Sequence, residues 1–189
     1  MMLLAHAGIT LGAATLVAGA VEGARHASSP KLSWFASLSR YVDIRILLVG
    51  SLLPDIIDKP VGQYFFRDTF SNGRIFSHTL LFLVVLVAVG FFLYWRWRMV
   101  WMLTLAAGTF MHLLLDSIWQ TPETLFWPFL GFGFPQAPLE DWLSELLEGL
   151  SSKPAVYLPE AVGLAVLLWF FLTLVFRRKV GTFLKYGRA

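Results

Sequence analysis

Six side chains that bind metals well lie in or beside stretches that otherwise suit a lipid environment: His6, Asp55, Asp58, His78, His112 and Asp116. An ionisable group at membrane depth costs about 2.5–3.5 kcal/mol on insertion scales, so several together must satisfy one another or share a cation. His112-x-x-x-Asp116 puts an imidazole and a carboxylate on one helical face, a turn apart, where both can hold one ion. A polar His–Asp pair inside a bundle would look the same. Pro54-Asp55-x-x-Asp58 turns two carboxylates toward one side if the helix persists; otherwise Asp55 is a cap and Asp58 marks the membrane exit beside Lys59. In Ser77-His78-Thr79, Ser77 reads as an N-cap and His78 as an interfacial or ligating ring. His6 is a lone histidine on an apolar helix, raised to a candidate by its depth. Arg74 is either a solvated charge or a guanidinium for a phosphoryl oxygen. Nitrogen and carboxylate donors without any cysteine suit zinc, with manganese or iron as alternatives. Six candidates exceed the three protein ligands usual for one catalytic zinc, so one or two divalent ions are expected.

The elements that must carry these groups are membrane helices. Of 189 residues 57% are hydrophobic and 14% charged, against about 25% charged in a soluble domain. The expected class is all-α: one integral membrane domain, a polytopic helical bundle of about five segments plus a surface amphipathic helix. The segments run from about Leu3 to Val21, Ile44 to Ile57, Thr79 to Trp95, Met99 to Trp119 and Val156 to Phe176. The second is short for a span of about 20 residues and must tilt, borrow neighbours or be re-entrant. The apolar start lacks a basic leader region and is expected to stay as a helix.

Lysine and arginine near span ends orient the chain. Arg96 and Arg98 between the third and fourth segments, and the basic tail 177–189, point to the cytoplasm; the acidic 120–155 loop points outside. The first connection, with Arg25, Arg40 and Arg45, is then cytoplasmic, and His26 within it is given no role. All six candidates fall at a similar depth near the extracytoplasmic side of an inner or plasma membrane. The metal-site core is expected within about 1–129 and an interfacial loop and helix within 120–155. Leu125–Pro138 is irregular and partly inserted, and Leu139–Leu150 is amphipathic. Glu160 sits near the outer end of the fifth segment and reads as an interfacial charge in preference to a partner standing behind the site residues. Scattered basic residues give no nucleic-acid patch, and no Gly-x-Ser-x-Gly or phosphate-binding glycine loop occurs.

The order of an N-terminal His, Gly50-Ser51-Leu52-Leu53-Pro54-Asp55, Arg74…Ser77-His78-Thr79, Gly108…His112…Asp116 and Trp127-Pro128-Phe129 resembles a family of small membrane-bound metal-dependent hydrolases, the LexA-binding, inner-membrane-associated type. The resemblance covers about Met1 to Phe129. It implies a distant similarity to zinc-dependent phospholipase C and P1-type nuclease folds, hence phosphoester hydrolysis. It carries over to His6, Asp55, Asp58, Arg74, His78, His112 and Asp116. The family's Pro-Asp-x-Asp spacing is lengthened here by one residue, which sets Asp58 apart. The expected activity is hydrolysis of a phosphoester on a lipid or lipid-linked substrate, with Arg74 on the phosphoryl group and Asp58 positioning water or accepting its proton. The competing classes are a proton-coupled carrier with an intramembrane His/Asp path, and a membrane protein whose metal only staples helices.

Overall fold

The computed structural model describes residues 3–25, 34–136, 148–149 and 151–189. Among them every regular element is helical: α1 (Leu3–Arg25), α2 (Trp34–Leu38), α3 (Ile44–Gly50), α4 (Leu53–Pro60), α5 (Arg67–Phe70), α6 (Leu80–Trp97), α7 (Trp101–Leu115), α8 (Pro122–Leu125), α9 (Pro154–Phe176) and α10 (Val180–Tyr186). A π-helical turn, Val61–Phe65, and 3₁₀ turns at Phe76–His78 and Ile118–Gln120 complete the order. The expected helix Leu139–Leu150 and His26 lie outside the described residues, save Glu148 and Gly149.

Among the described residues three helices are long and apolar enough to cross a membrane, Leu3–Ala24, Leu80–Trp97 and Pro154–Phe176. The other two expected segments are shorter than drawn. The fourth is α7, whose 15 residues reach about 22 Å at 1.5 Å per residue. The second breaks between α3 and α4. Pro54 has no N–H to give the Gly50 carbonyl, so a continuous helix would leave that carbonyl unsatisfied. The chain instead turns at Ser51 and Leu52 and restarts with Pro54 in the first turn of α4, where a missing N–H costs nothing. Thr109 Oγ1 donates to the freed Gly50 carbonyl at 3.2 Å.

Packing is set by small residues. A Cβ at Gly108 would sit 2.5 Å from the Leu47 carbonyl and 2.6 Å from the Ser51 nitrogen, so glycine lets α7 lie directly against the break. Gly8 and Gly163 do the same for α1 and α9: a Cβ on either would overlap the other helix's backbone. Close approach of this kind replaces the hydrophobic drive that lipid does not supply.

The bundle has two unlike ends. At one, Asp43 caps α3 by accepting from Arg45 N and binds the Arg45 guanidinium through both oxygens, at 3.1 and 2.6 Å. Arg45 also donates to the Leu184 carbonyl at 2.7 Å, and Ala189 N donates to Ser39 Oγ at 2.9 Å. The basic tail thus carries a helix, and α10 folds back on the 39–45 corner. At the other end stand His6, Asp55, Asp58, His78, His112 and Asp116.

Replacing Gly163 with valine drives side-chain atoms into the Leu4–Ala5 backbone, and the expected loss is about 1–3 kcal/mol or more; an unchanged unfolding midpoint in detergent would refute this account of the α1–α9 contact. The Arg45 side chain holds the Asp43 carboxyl below its ordinary 3.8. A depressed carboxylate adds stability above the unfolded value and loses it as pH falls. Hydrogen exchange over 180–186 should therefore accelerate below about pH 4, and Asp43→Asn should remove that dependence.

Candidate metal centre

The helix break builds the centre. With the helix interrupted after Gly50, the Ser51 carbonyl accepts from His112 Nδ1 at 2.7 Å. A carbonyl only accepts, so Nδ1 carries the ring proton and Nε2 keeps its lone pair. The second imidazole is fixed by other means. The turn Phe76–His78 wraps the Asp58 carboxylate, which accepts from Ile75 N at 2.8 Å, Ser77 N at 2.9 Å, His78 N at 3.2 Å and His78 Nδ1 at 2.7 Å. His78 therefore also turns Nε2 inward. The two Nε2 atoms face each other at 3.2 Å, both rings wholly buried.

Two carboxylates and a third imidazole close the cluster. Asp55 Oδ1 lies 3.7 Å from His78 Nε2 and 3.8 Å from His112 Nε2. Asp116, at the C-terminus of α7 where its own N–H still bonds the His112 carbonyl, puts Oδ1 3.2 Å from His6 Nε2 and Oδ2 3.8 Å from His78 Nε2. The His6 ring stacks on His112 with centroids 4.1 Å apart. Two triads result, His6–His112–Asp116 and Asp55–His78–His112, each with donor atoms within 4.8 Å of one another, and His112 belongs to both.

Five of the six expected groups thus meet in one place. Asp58 does not. Its oxygens are turned to the 75–78 backbone, one layer behind the cluster, so it orients His78 rather than reaching a cation or water. The N-cap of α6 is Thr79, whose Oγ1 accepts from Phe82 N at 3.0 Å, and not Ser77, whose N–H is spent on Asp58. Arg74 stands at the rim, Nε 2.7 Å from Asp116 Oδ2.

A family profile described as YdjM inner membrane protein matches residues 1–182. The chain belongs to that family. The match extends beyond the Met1–Phe129 stretch that carries the resemblance, and its description names a membrane and no reaction. No curated protein and no solved structure matches, so the expected similarity to phospholipase C and P1-type nuclease folds has no relative behind it. The family description and the apolar helices agree on the inner membrane.

Sequence reasoning missed three members of this YdjM-family site. Lys59 Nζ binds Asp55 Oδ2 at 2.7 Å, an i,i+4 pair that the spacing Asp55-x-x-x-Lys59 does contain. Glu160, expected as an interfacial charge, is 7% exposed and accepts from Ala5 N at 3.3 Å, a carboxylate at the α1 N-terminus one residue from His6. Thr109 holds the break. Nothing local marks Glu160; only the Gly8–Gly163 crossing brings it there.

Nitrogen-15 NMR of histidine-labelled protein should show His78 and His112 as Nδ1–H tautomers. Asp58→Asn substitutes an amide that can accept at one position only, so His78 should lose its single tautomer while His112 keeps it. The buried orphaned donors should also cost about 1–3 kcal/mol of stability.

Proposed function

We propose that this chain is an integral membrane metal-dependent hydrolase acting on a phosphoester of a lipid or lipid-linked substrate, with its site toward the extracytoplasmic side. The observation that carries the reading is the pair of Nε2 lone pairs 3.2 Å apart. Two acceptor nitrogens repel at that distance unless a cation or proton lies between them. Nitrogens about 2.0–2.1 Å from one tetrahedral zinc stand ~3.3–3.4 Å apart, so the spacing suits a shared ion. Among Asp55, Asp58, Asp116, Lys59 and Arg74, three carboxylates face two cations, which leaves a negative charge for an ion to offset.

His6, His112 and Asp116 would hold one ion, and Asp55, His78 and His112 would hold another or complete the same one. Zinc fits this sulfur-free donor set, with manganese or iron as alternatives. A bound divalent ion supplies an acidified water and neutralises phosphoryl charge. The protein's own groups do the rest. Asp58, hydrogen-bonded to Nδ1, fixes the His78 ring and raises its basicity. Ser51 does so for His112. Lys59 binds Asp55 Oδ2, the oxygen not turned to the imidazoles, and Arg74 binds Asp116 Oδ2; both side chains are about two-fifths exposed and would offer two cations to an anionic group. The phosphoester as substrate comes from the resemblance of the sequence motifs to membrane-bound metal-dependent hydrolases.

Purified protein should contain a divalent metal and hydrolyse a phosphodiester in mixed micelles. His112→Ala, which removes the residue common to both triads, should abolish metal and turnover; Asp58→Asn should weaken metal affinity about 10–100-fold. Unchanged metal content in His112→Ala and Asp116→Ala would end the reading. Metal without turnover, and unfolding on chelation, would mark the ion as a staple.

A further inference from the structure

An apolar groove lies along the bundle below the candidate metal centre. It encloses about 370 Å³ between α1 and α7, with Leu38 and Leu47 among its floor residues. Its wall is carbon apart from hydroxyls: Ala14, Val17 and Val21 from α1, Ala107 and Met111 from α7. Its Thr10–Met111 end lies next to cluster residues along both helices. Thr10 lies one turn beyond His6 on the same face of α1, and Met111 precedes His112. From Thr10 to Val21 the groove follows α1 for ~16 Å. Thr10 Oγ1 is fully buried at its head and has no hydrogen-bond partner among the described residues.

We propose that this groove seats one acyl chain of the substrate lipid, with the chain's ester linkage near Thr10 and its phosphoryl group at the cluster. The inference rests on the hydrolase reading and specifies its substrate: a chain-bearing phospholipid rather than a soluble phosphoester. Two observations favour an acyl chain over a second copy of the protein or a soluble metabolite. One helix of the pair, α1, is among the three apolar enough to span a membrane, so its groove opens where hydrocarbon is the solvent. The cations Lys59 and Arg74 stand at the cluster carboxylates, beyond the Thr10 end of the groove, so a charged seat and a greasy one follow each other as a phospholipid requires. A slot of this size falls within the range that holds small ligands.

The test uses the full chain in phosphatidylcholine nanodiscs doped with phosphatidylglycerol carrying a photoactivatable diazirine in one acyl chain. Cross-links mapped by mass spectrometry should concentrate on 10–21 and 104–111. Ala107→Trp and, independently, Ala14→Phe fill the groove and should each lower that labelling roughly tenfold (about 1.4 kcal/mol). Val162→Trp, on the exposed face of α9, should leave it unchanged. Labelling spread evenly around the apolar belt, or insensitive to both groove-filling variants, would overturn the proposal. So would loss of labelling accompanied by a cross-linked dimer through α1 and α7. The two readings fail separately: labelling of the groove in the unsubstituted protein without any phosphodiester turnover speaks against hydrolysis and not against the seat, and His112→Ala, which should abolish turnover, should keep the labelling.

Discussion

The whole centre hangs on a carbonyl that lost its helical partner. Interrupting a helix in an apolar bundle leaves backbone oxygens that lipid cannot satisfy. Here the interruption is dictated by Pro54, and the oxygens of Gly50 and Ser51 are taken up by Thr109 and His112 of α7. That transfer needs two backbones in contact, which Gly50 and Gly108 permit: a Cβ at Gly50 would overlap the Leu105 carbonyl. Proline, the two glycines, threonine and histidine are one device. It settles which nitrogen of His112 carries the proton before any ion or substrate enters.

Much of this was visible in the residues, and the remainder was hidden for physical reasons. Apolar runs gave the helical class, and the tight Arg96–Arg98 turn appears as drawn, with Arg98 in the left-handed region closing α6. Helical periodicity brought His112 and Asp116 to one face. The depth argument from charge asymmetry gathered His6, Asp55 and His78 beside them. It failed for Asp58 because depth says nothing about azimuth. Asp55 and Asp58 share a level, but α4 turns one toward the imidazoles and the other toward the 75–78 turn. It failed for Glu160 because burial there depends on a crossing 155 residues away in sequence. The second segment was drawn as one helix because apolar composition continues through the break; only Pro54 marked it.

The two ends of the bundle divide the electrostatics. At the far end Asp43, Arg45, Arg40 and Glu22 form ion pairs open to solvent, worth little individually, though Arg45 also pins α10 through a carbonyl. At the cluster the same residue types are buried or half-buried and each carboxylate has a distinct partner. Phe76, Trp127 and Phe134 pack edge-on and stacked beside the His78 turn, and Asn72 reaches the Pro135 carbonyl at 2.6 Å. The irregular 126–136 stretch thus shields the turn that grips Asp58.

The lengths of α3 and α7 carry one more consequence. Seven residues and fifteen cannot bridge a hydrocarbon layer of about 30 Å, although α1, α6 and α9 around them can or nearly can. Beside α7 the bilayer must dimple inward, or the cluster must lie sunken beneath the phosphate plane. Either way the mismatch arises at α3 and α7 and not at the longer helices. A thinned layer beside α7 would shorten the path of water to the imidazoles of His78 and His112.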